Sequence, residues 1–153
     1  MKNKLKIIRL KYHITNFFNS LKEKDTLPSK NTLENWFVHF SDKKYPKHKN
    51  GGGKWLIFCN EHNVDKTWNL IKISQDSGLL GNISKVSTKK NSSKNNNSFV
   101  ICIYTYDSND KTDVLRVREG LTKIGFTNPL KYKRDIETKK GIYGSKNEFL
   151  LTI

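Results

Sequence analysis

The stretch SFVICIYTY, residues 98–106, is the longest apolar run in this sequence of 153 residues. It is rich in β-branched and aromatic side chains and is flanked by turn-forming polar residues, which predicts a central strand covered on both faces. A helix is predicted next, because Asp110 can cap its amino end and Gly125 stands where a left-handed residue would end it. Between them, apolar residues recur at helical spacing, at Val114, Val117, Leu121 and Ile124. A strand followed by a helix that packs across it predicts the middle of an α/β or α+β domain.

The composition favours polyanionic partners. Lysine and arginine number 29 against 14 aspartates and glutamates, which gives a formal net charge of +15. Such an excess attracts nucleic acid, nucleotides, phosphoproteins or an acidic membrane surface. The many lysines occur together with many asparagines, so a bias of the source proteome explains the charge equally well. Only 35% of the residues are hydrophobic, but they cluster in periodic segments, which predicts a folded core.

The cysteines and histidines give no metal or disulfide pattern. Cys59 and Cys102 both lie in predicted strands, which favours buried free thiols in a reducing cytosol. Cys59 and His62 form a single pair without a second pair at usable spacing, so neither a metal nor a cofactor is expected.

Basic residues interrupt the first residues of the chain, and no apolar run approaches the length of a membrane span. We therefore expect a soluble, cytoplasmic protein without integral membrane association.

The chain is predicted to form one α+β domain over residues 1–153, in three parts. N-terminal helices extend to residue 40; the first covers residues 5–21, and Asn31 with Glu34 at capping-box spacing opens a second. Residues 41–53, SDKKYPKHKNGGG, form a basic, glycine-rich loop, which we interpret as a flexible linker because it lacks the ending of a phosphate-binding P-loop. Residues 54–153 form the sheet-and-helix core, in which residues 88–97 are predicted to be a mobile loop.

Basic residues inside predicted strands and helices are the sharpest functional signal. Lys54 opens a strand, Lys85 interrupts another, and Arg118 flanks the apolar side of the helix after the central strand. Lys133 and Arg134 belong to a late strand. Cations on neighbouring rigid elements can converge on one anion, whereas lysines in loops are usually solvated.

The sequence from Gly53 onward resembles a known family. The matching segments are GKWLIF at residues 53–58, SKVST at residues 84–88, and KYKRD at residues 131–135. They are similar to a family labelled as phosphothreonine lyase domains, which includes a basophilic leukaemia-expressed protein. The resemblance implies a curved, mainly antiparallel sheet backed by helices, as in the eukaryotic cap-binding translation initiation factor.

The resemblance also implies a site. Lys85 matches the lysine that acts as base in the lyases, Lys54 matches a strand lysine, and Arg134 matches a phosphate-binding arginine. The general-acid histidine expected two residues after Lys54 is replaced by Leu56. An acid of this kind typically contributes about 100- to 10,000-fold to a rate. A phosphate-binding cleft with absent or altered lyase chemistry is therefore predicted.

Three functions remain open. The first is binding, with sequestration as one role, of a nucleotide, a nucleotide messenger or an RNA end in a basic cleft on the sheet. Its phosphate ligands would be Lys54, Lys85, Arg118, Lys133 and Arg134, with Leu56 beside Lys54 and a base stacked on Trp55, Tyr132 or Tyr143. The second is a metal-independent lyase or related phosphate-processing enzyme with Lys85 as its catalytic base. The third is non-specific RNA binding through dispersed lysines.

Overall fold

A computed structural model describes residues 26–92, 94, 96–141 and 151–153. Its strands are β1 Trp36–Phe40, β2 Gly53–Cys59, β3 Ile83–Ser87, β4 Phe99–Thr105, β5 Lys131–Arg134 and β6 Leu151–Thr152. Its helices are α1 Val64–Asp76, α2 Lys89–Ser92, α3 Lys111–Lys123 and α4 Asp135–Lys139. The strands form one curved six-stranded antiparallel sheet in the spatial order β1-β3-β4-β2-β5-β6. The α+β class with a curved antiparallel sheet backed by helices is thus confirmed.

The predicted strand at residues 98–106 is the central strand β4, between β3 and β2. Its side chains at Phe99, Ile101 and Ile103 are fully buried in the core with apolar residues of α1 and α3. Val100 and Tyr104, on the opposite face, are partly exposed. The strand is therefore central as predicted, and the two long helices α1 and α3 both cover the same one of its faces.

Helix α3 follows its sequence signals. The Asp110 carboxylate accepts a hydrogen bond of 3.1 Å from the Asp113 amide at the start of α3. Gly125 follows the end of α3 with a φ of +107°, a conformation that glycine adopts without strain. Trp68 of α1 lies in the core. No helix in the described ranges is long and apolar enough to cross a membrane.

The predicted second N-terminal helix is wrong, because residues 36–40 form strand β1. The Asn31 side chain does accept hydrogen bonds from the amides of Leu33 and Glu34, at 3.1 and 2.8 Å, but the chain then extends instead of coiling. The sequence WFVHF is aromatic and β-branched, and it pairs along its whole length with β3. Tertiary pairing therefore overrode a short helical pattern. The predicted helix at residues 5–21 lies outside the described residues.

Parts of two segments that we predicted as flexible loops are packed against the rest of the protein. The Gly52 carbonyl accepts a hydrogen bond of 2.9 Å from the Asp135 amide, and a Cβ added to Gly53 would overlap the Tyr132 hydroxyl. The glycine run is therefore needed for close approach rather than for flexibility. In the other segment, α2 is held by Lys89, whose ammonium lies 2.8 Å from the Glu61 carboxylate.

Candidate functional site

The face of the sheet away from α1 and α3 is called the open face here. Alternation along each strand and the antiparallel register decide which side chains share it. From β1 toward β5, it carries three rows: Phe40, Ile83, Tyr104, Lys54 and Lys133; then Val38, Lys85, Cys102, Leu56 and Lys131; then Trp36, Ser87, Val100 and Phe58. These rows contain four lysines and no acidic residue.

A cavity of about 320 Å³, called the lysine pocket below, opens on the open face. Its lining residues are Lys49, Asn50, Lys54, Lys85, Tyr104, Asp135, Thr138 and Lys139. Strands β2, β3 and β4 supply its floor, and helix α4 with the loop before β2 supplies its rim. Its described lining holds four lysines and one carboxylate, although Lys49 is also paired with Asp107 at 3.2 Å, so the potential there is positive.

Lys54 is neutralised within the protein. Its side chain is only 9% exposed, and its ammonium lies 2.7 Å from the Asp135 carboxylate and 3.0 Å from the Thr138 hydroxyl. Helix α4 brings both partners over β2, because it begins directly at the end of β5, the strand beside β2. A buried cation needs such a partner. Lys54 therefore shapes the pocket without adding a net charge to it.

Lys85 differs from Lys54 because no described residue offers it a carboxylate. Its ammonium lies 4.1 Å from the centre of the Trp36 ring and 6.0 Å from that of Tyr104. The aromatic faces attract and orient the cation but do not cancel its charge. The partly buried Lys85 thus presents an uncompensated positive charge in the pocket.

Tyr104 adds a hydroxyl donor beside Lys85. Burial, with smaller contributions from Cys102 and Asp135, raises the pKa of Tyr104 well above its usual range, so the hydroxyl stays protonated at neutral pH. No hydrogen bond links this hydroxyl to another described residue. Burial also raises the pKa of the neighbouring Cys102 thiol to about 11, which keeps it uncharged.

Some of the predicted site residues come together and others do not. Lys54 and Lys85 both line the lysine pocket. Leu56 and Lys133 share the open face with them but lie outside the pocket lining. The Arg134 guanidinium lies 2.6 Å from the Glu137 carboxylate and also outside the lining. Tyr143 is outside the described residues.

Three of the predicted site residues need correction, because they lie on the face covered by helices. Trp55 and Tyr132 are fully buried against each other, with ring centres 5.0 Å apart, so neither can stack a base. Arg118 donates to the carbonyls of Ile153, Phe126 and Asn128 at 2.8–3.0 Å. Its guanidinium therefore stabilises the turn after α3 and is not placed to contact a phosphate.

Sequence reasoning missed several pocket residues. Tyr104 could have been found, because alternation in the central strand separates it from the core residues Ile101 and Ile103. Trp36 was missed as a pocket neighbour, because its segment was assigned to a helix. The pairing of Asp135 with Lys54 depends on the position of α4 over β2, which no local sequence pattern reveals. Among the described residues, no cluster of three or more His, Cys, Asp or Glu side chains could hold a metal ion.

Solved structures with the same fold are cap-binding proteins. Schistosome eIF4E, in a complex with m7GpppA and 4E-BP, is 14% identical with a TM-score of 0.64, over 92% of this chain and 81% of that chain. Ascaris suum eIF4E-3 with an m2,2,7G cap is 17% identical with a TM-score of 0.57, over 90% of this chain and 79% of that one. Caenorhabditis elegans eIF4E-3, with the 4E-binding protein Mextli and a cap analog, is 14% identical with a TM-score of 0.62, over 90% of this chain and 80% of that chain. At these identities the likeness defines the fold: the chain is an α+β protein of the eIF4E-like class.

The family follows from the sequence match. A model of the family described as Basophilic leukemia-expressed protein Bles03 matches residues 44–143, and this chain belongs to that family. The resemblance inferred from the segments after Gly53 is thereby confirmed. All residues that line the lysine pocket lie within the matched range, whereas Trp36 precedes it.

Proposed function

We propose that this protein binds a phosphorylated ligand of the nucleotide class, with the phosphate in the lysine pocket. The observation that carries the proposal is the Lys85 ammonium, held 4.1 Å from the Trp36 ring and without a described carboxylate partner. A partly buried cation of this kind is stabilised when an anion joins it. The Tyr104 hydroxyl beside it supplies a second donor, and Lys139 adds charge at the rim, where Lys49 is paired with Asp107.

The fold is compatible with this role. The eIF4E proteins of similar fold are seen with m7GpppA or with methylated caps, which are phosphorylated nucleotides. The pocket volume of about 320 Å³ is at the lower end of cavities that hold small ligands. We therefore place the phosphate in the pocket and the remainder of the ligand along the open face.

The alternatives have less support. For a lyase, Leu56 supplies no proton from the position of the family acid, and it shares the open face with Lys54. For non-specific binding through dispersed lysines, the loop residues Lys89 and Lys90 should be free to meet RNA. Instead, Lys89 is paired with Glu61, and the Lys90 ammonium lies 2.6 Å from the Leu33 carbonyl oxygen.

Replacing Lys85 with alanine tests the proposal. Loss of a charge-assisted hydrogen bond typically costs about 1.5–3 kcal/mol, so we expect nucleotide affinity to fall about 10- to 150-fold. Isothermal titration calorimetry with GTP and ATP gives the measurement, with guanosine and adenosine as phosphate-free controls. Lys66→Ala is the matched control, because Lys66 is an exposed lysine on α1, away from the open face. Equal losses in the two variants, or nucleosides that bind as tightly as nucleotides, would contradict the proposal.

A further inference from the structure

The open face carries large apolar side chains that the lysine pocket does not use. Phe40 is 67% exposed, Phe58 is 61% exposed, and Val38 is 50% exposed. Phe40 stands in the row of Lys54 and Val38 in the row of Lys85, whereas Phe58 stands in the third row, two residues along β2 from Leu56. Exposed aromatic side chains concentrated around a charged pocket are a feature of binding surfaces, whereas scattered ones are ordinary.

We propose that the open face binds a single-stranded oligonucleotide, with Phe40 and Phe58 stacking bases on two different sides of the lysine pocket. The inference rests on the proposed function, since the pocket would hold one phosphate of the strand. It extends that function, because the ligand is then a chain of several nucleotides rather than one nucleotide.

The spacing of the two phenylalanines supports a ligand of this length. Phe40 lies in the row of Tyr104, two strands away, which is about 10 Å at a strand spacing of about 4.8 Å. Phe58 lies four residues along β2 from Lys54, which is about 13 Å. By the same spacings, the diagonal distance across the sheet between Phe40 and Phe58 is about 20 Å. At about 3.4 Å per stacked nucleotide, that distance corresponds to about six nucleotides, and to fewer if the strand is extended.

The charge of the open face matches a sugar–phosphate chain. Its rows hold no acidic residue, Lys85 lies there without a described carboxylate partner, and Lys139 stands at the rim of the pocket, whereas the rim residue Lys49 is paired with Asp107 at 3.2 Å. Among the described residues of the pocket lining, Asp135 has the one carboxylate, and it is paired with Lys54. Aromatic side chains interleaved with cations are how proteins bind single strands, because every base has a face that can stack.

Trp36 has a different role from the two phenylalanines. The Lys85 ammonium lies 4.1 Å from the centre of its ring and so occupies one of its faces. The indole therefore positions the cation that would hold phosphate. Phe40 and Phe58 have no ring or cation contact among the described residues, so both rings are available to a base.

Length dependence of affinity is the test. We expect a 5′-phosphorylated hexaadenylate to bind at least about 10-fold more tightly than AMP, since stacking contributes about 5- to 150-fold per base by alanine substitution. In the variant Phe40→Ala with Phe58→Ala, this advantage over AMP should shrink to within a few-fold. Leu115→Ala, which removes an exposed apolar side chain on α3, is the control and should keep the full advantage.

The outcomes separate this inference from the proposed function. If AMP binds in a Lys85-dependent way but the hexanucleotide binds no better, the inference is wrong and the proposed function stands. If neither ligand depends on Lys85, the proposed function fails. A second copy of the chain is the alternative partner for this apolar face, and analytical ultracentrifugation of the same variants tests it. If Phe40→Ala abolishes self-association without changing hexanucleotide affinity, the face is a contact between copies of the chain and the inference is wrong.

Discussion

Replacing Trp55 with alanine is expected to lower the free energy of unfolding by about 3–5 kcal/mol. The indole is fully buried, packs edge-on against Tyr132, and donates a hydrogen bond of 3.0 Å to the Val114 carbonyl. Its loss leaves a cavity between β2 and α3 and an acceptor without its donor. Urea denaturation followed by circular dichroism measures the change.

Trp36→Ala is the matched control for this prediction. Trp36 is only partly buried, so its loss should cost less than about 1.5 kcal/mol of stability while it weakens nucleotide binding through Lys85. The reverse pattern, with Trp55→Ala stable but unable to bind nucleotide, would show that Trp55 acts in the site, as sequence reasoning first suggested.

The second large effect is expected from Asp135→Ala. This change leaves the Lys54 ammonium in a place where its side chain is only 9% exposed, with the Thr138 hydroxyl as its remaining partner. Removing one member of a buried ion pair typically costs about 3–5 kcal/mol, and we expect about 3 because the Asp135 side chain is 24% exposed.

Lys54→Met separates the charge from the packing. Methionine keeps an unbranched side chain and leaves no buried cation, so we expect a loss below about 1.5 kcal/mol. Thermal unfolding of the two variants beside the unchanged protein gives the comparison. If Lys54→Met destabilises the protein as much as Asp135→Ala does, the pair contributes through packing and our account of Lys54 is wrong.

Local signals predicted much of the fold because they act over a few residues. The apolar run around Ile101 is the central strand, and Asp110 and Gly125 mark the ends of the helix after it. Alternation along β2 places Trp55 on the core face and Leu56 on the open face. β1 was missed because a five-residue apolar segment fits the spacing of a helix as well as that of a strand. Only its pairing with β3 decides between the two.

The site was harder to predict because it depends on contacts between distant residues. Lys54 and Lys85 share a pocket only because β2 and β3 both flank β4. The basic residue Arg118 looked equally suited to bind phosphate, yet it meets backbone carbonyls beyond the end of its helix. The sequence pointed to basic residues within strands and helices, but only the strand register showed which of them share one face of the sheet.

The central claim is that a phosphorylated nucleotide binds on the open face beside Lys85, and the tryptophan indole signals test it directly. Trp36 lies under the Lys85 ammonium, whereas Trp55 and Trp68 are buried in the core beneath the other face. Titration of ¹⁵N-labelled protein with GTP, followed by heteronuclear NMR, reports on all three indoles at once. We predict that the Trp36 indole signal shifts progressively while those of Trp55 and Trp68 stay in place. Binding of GTP that leaves the Trp36 signal unmoved, or that moves the two core signals equally, would contradict the account.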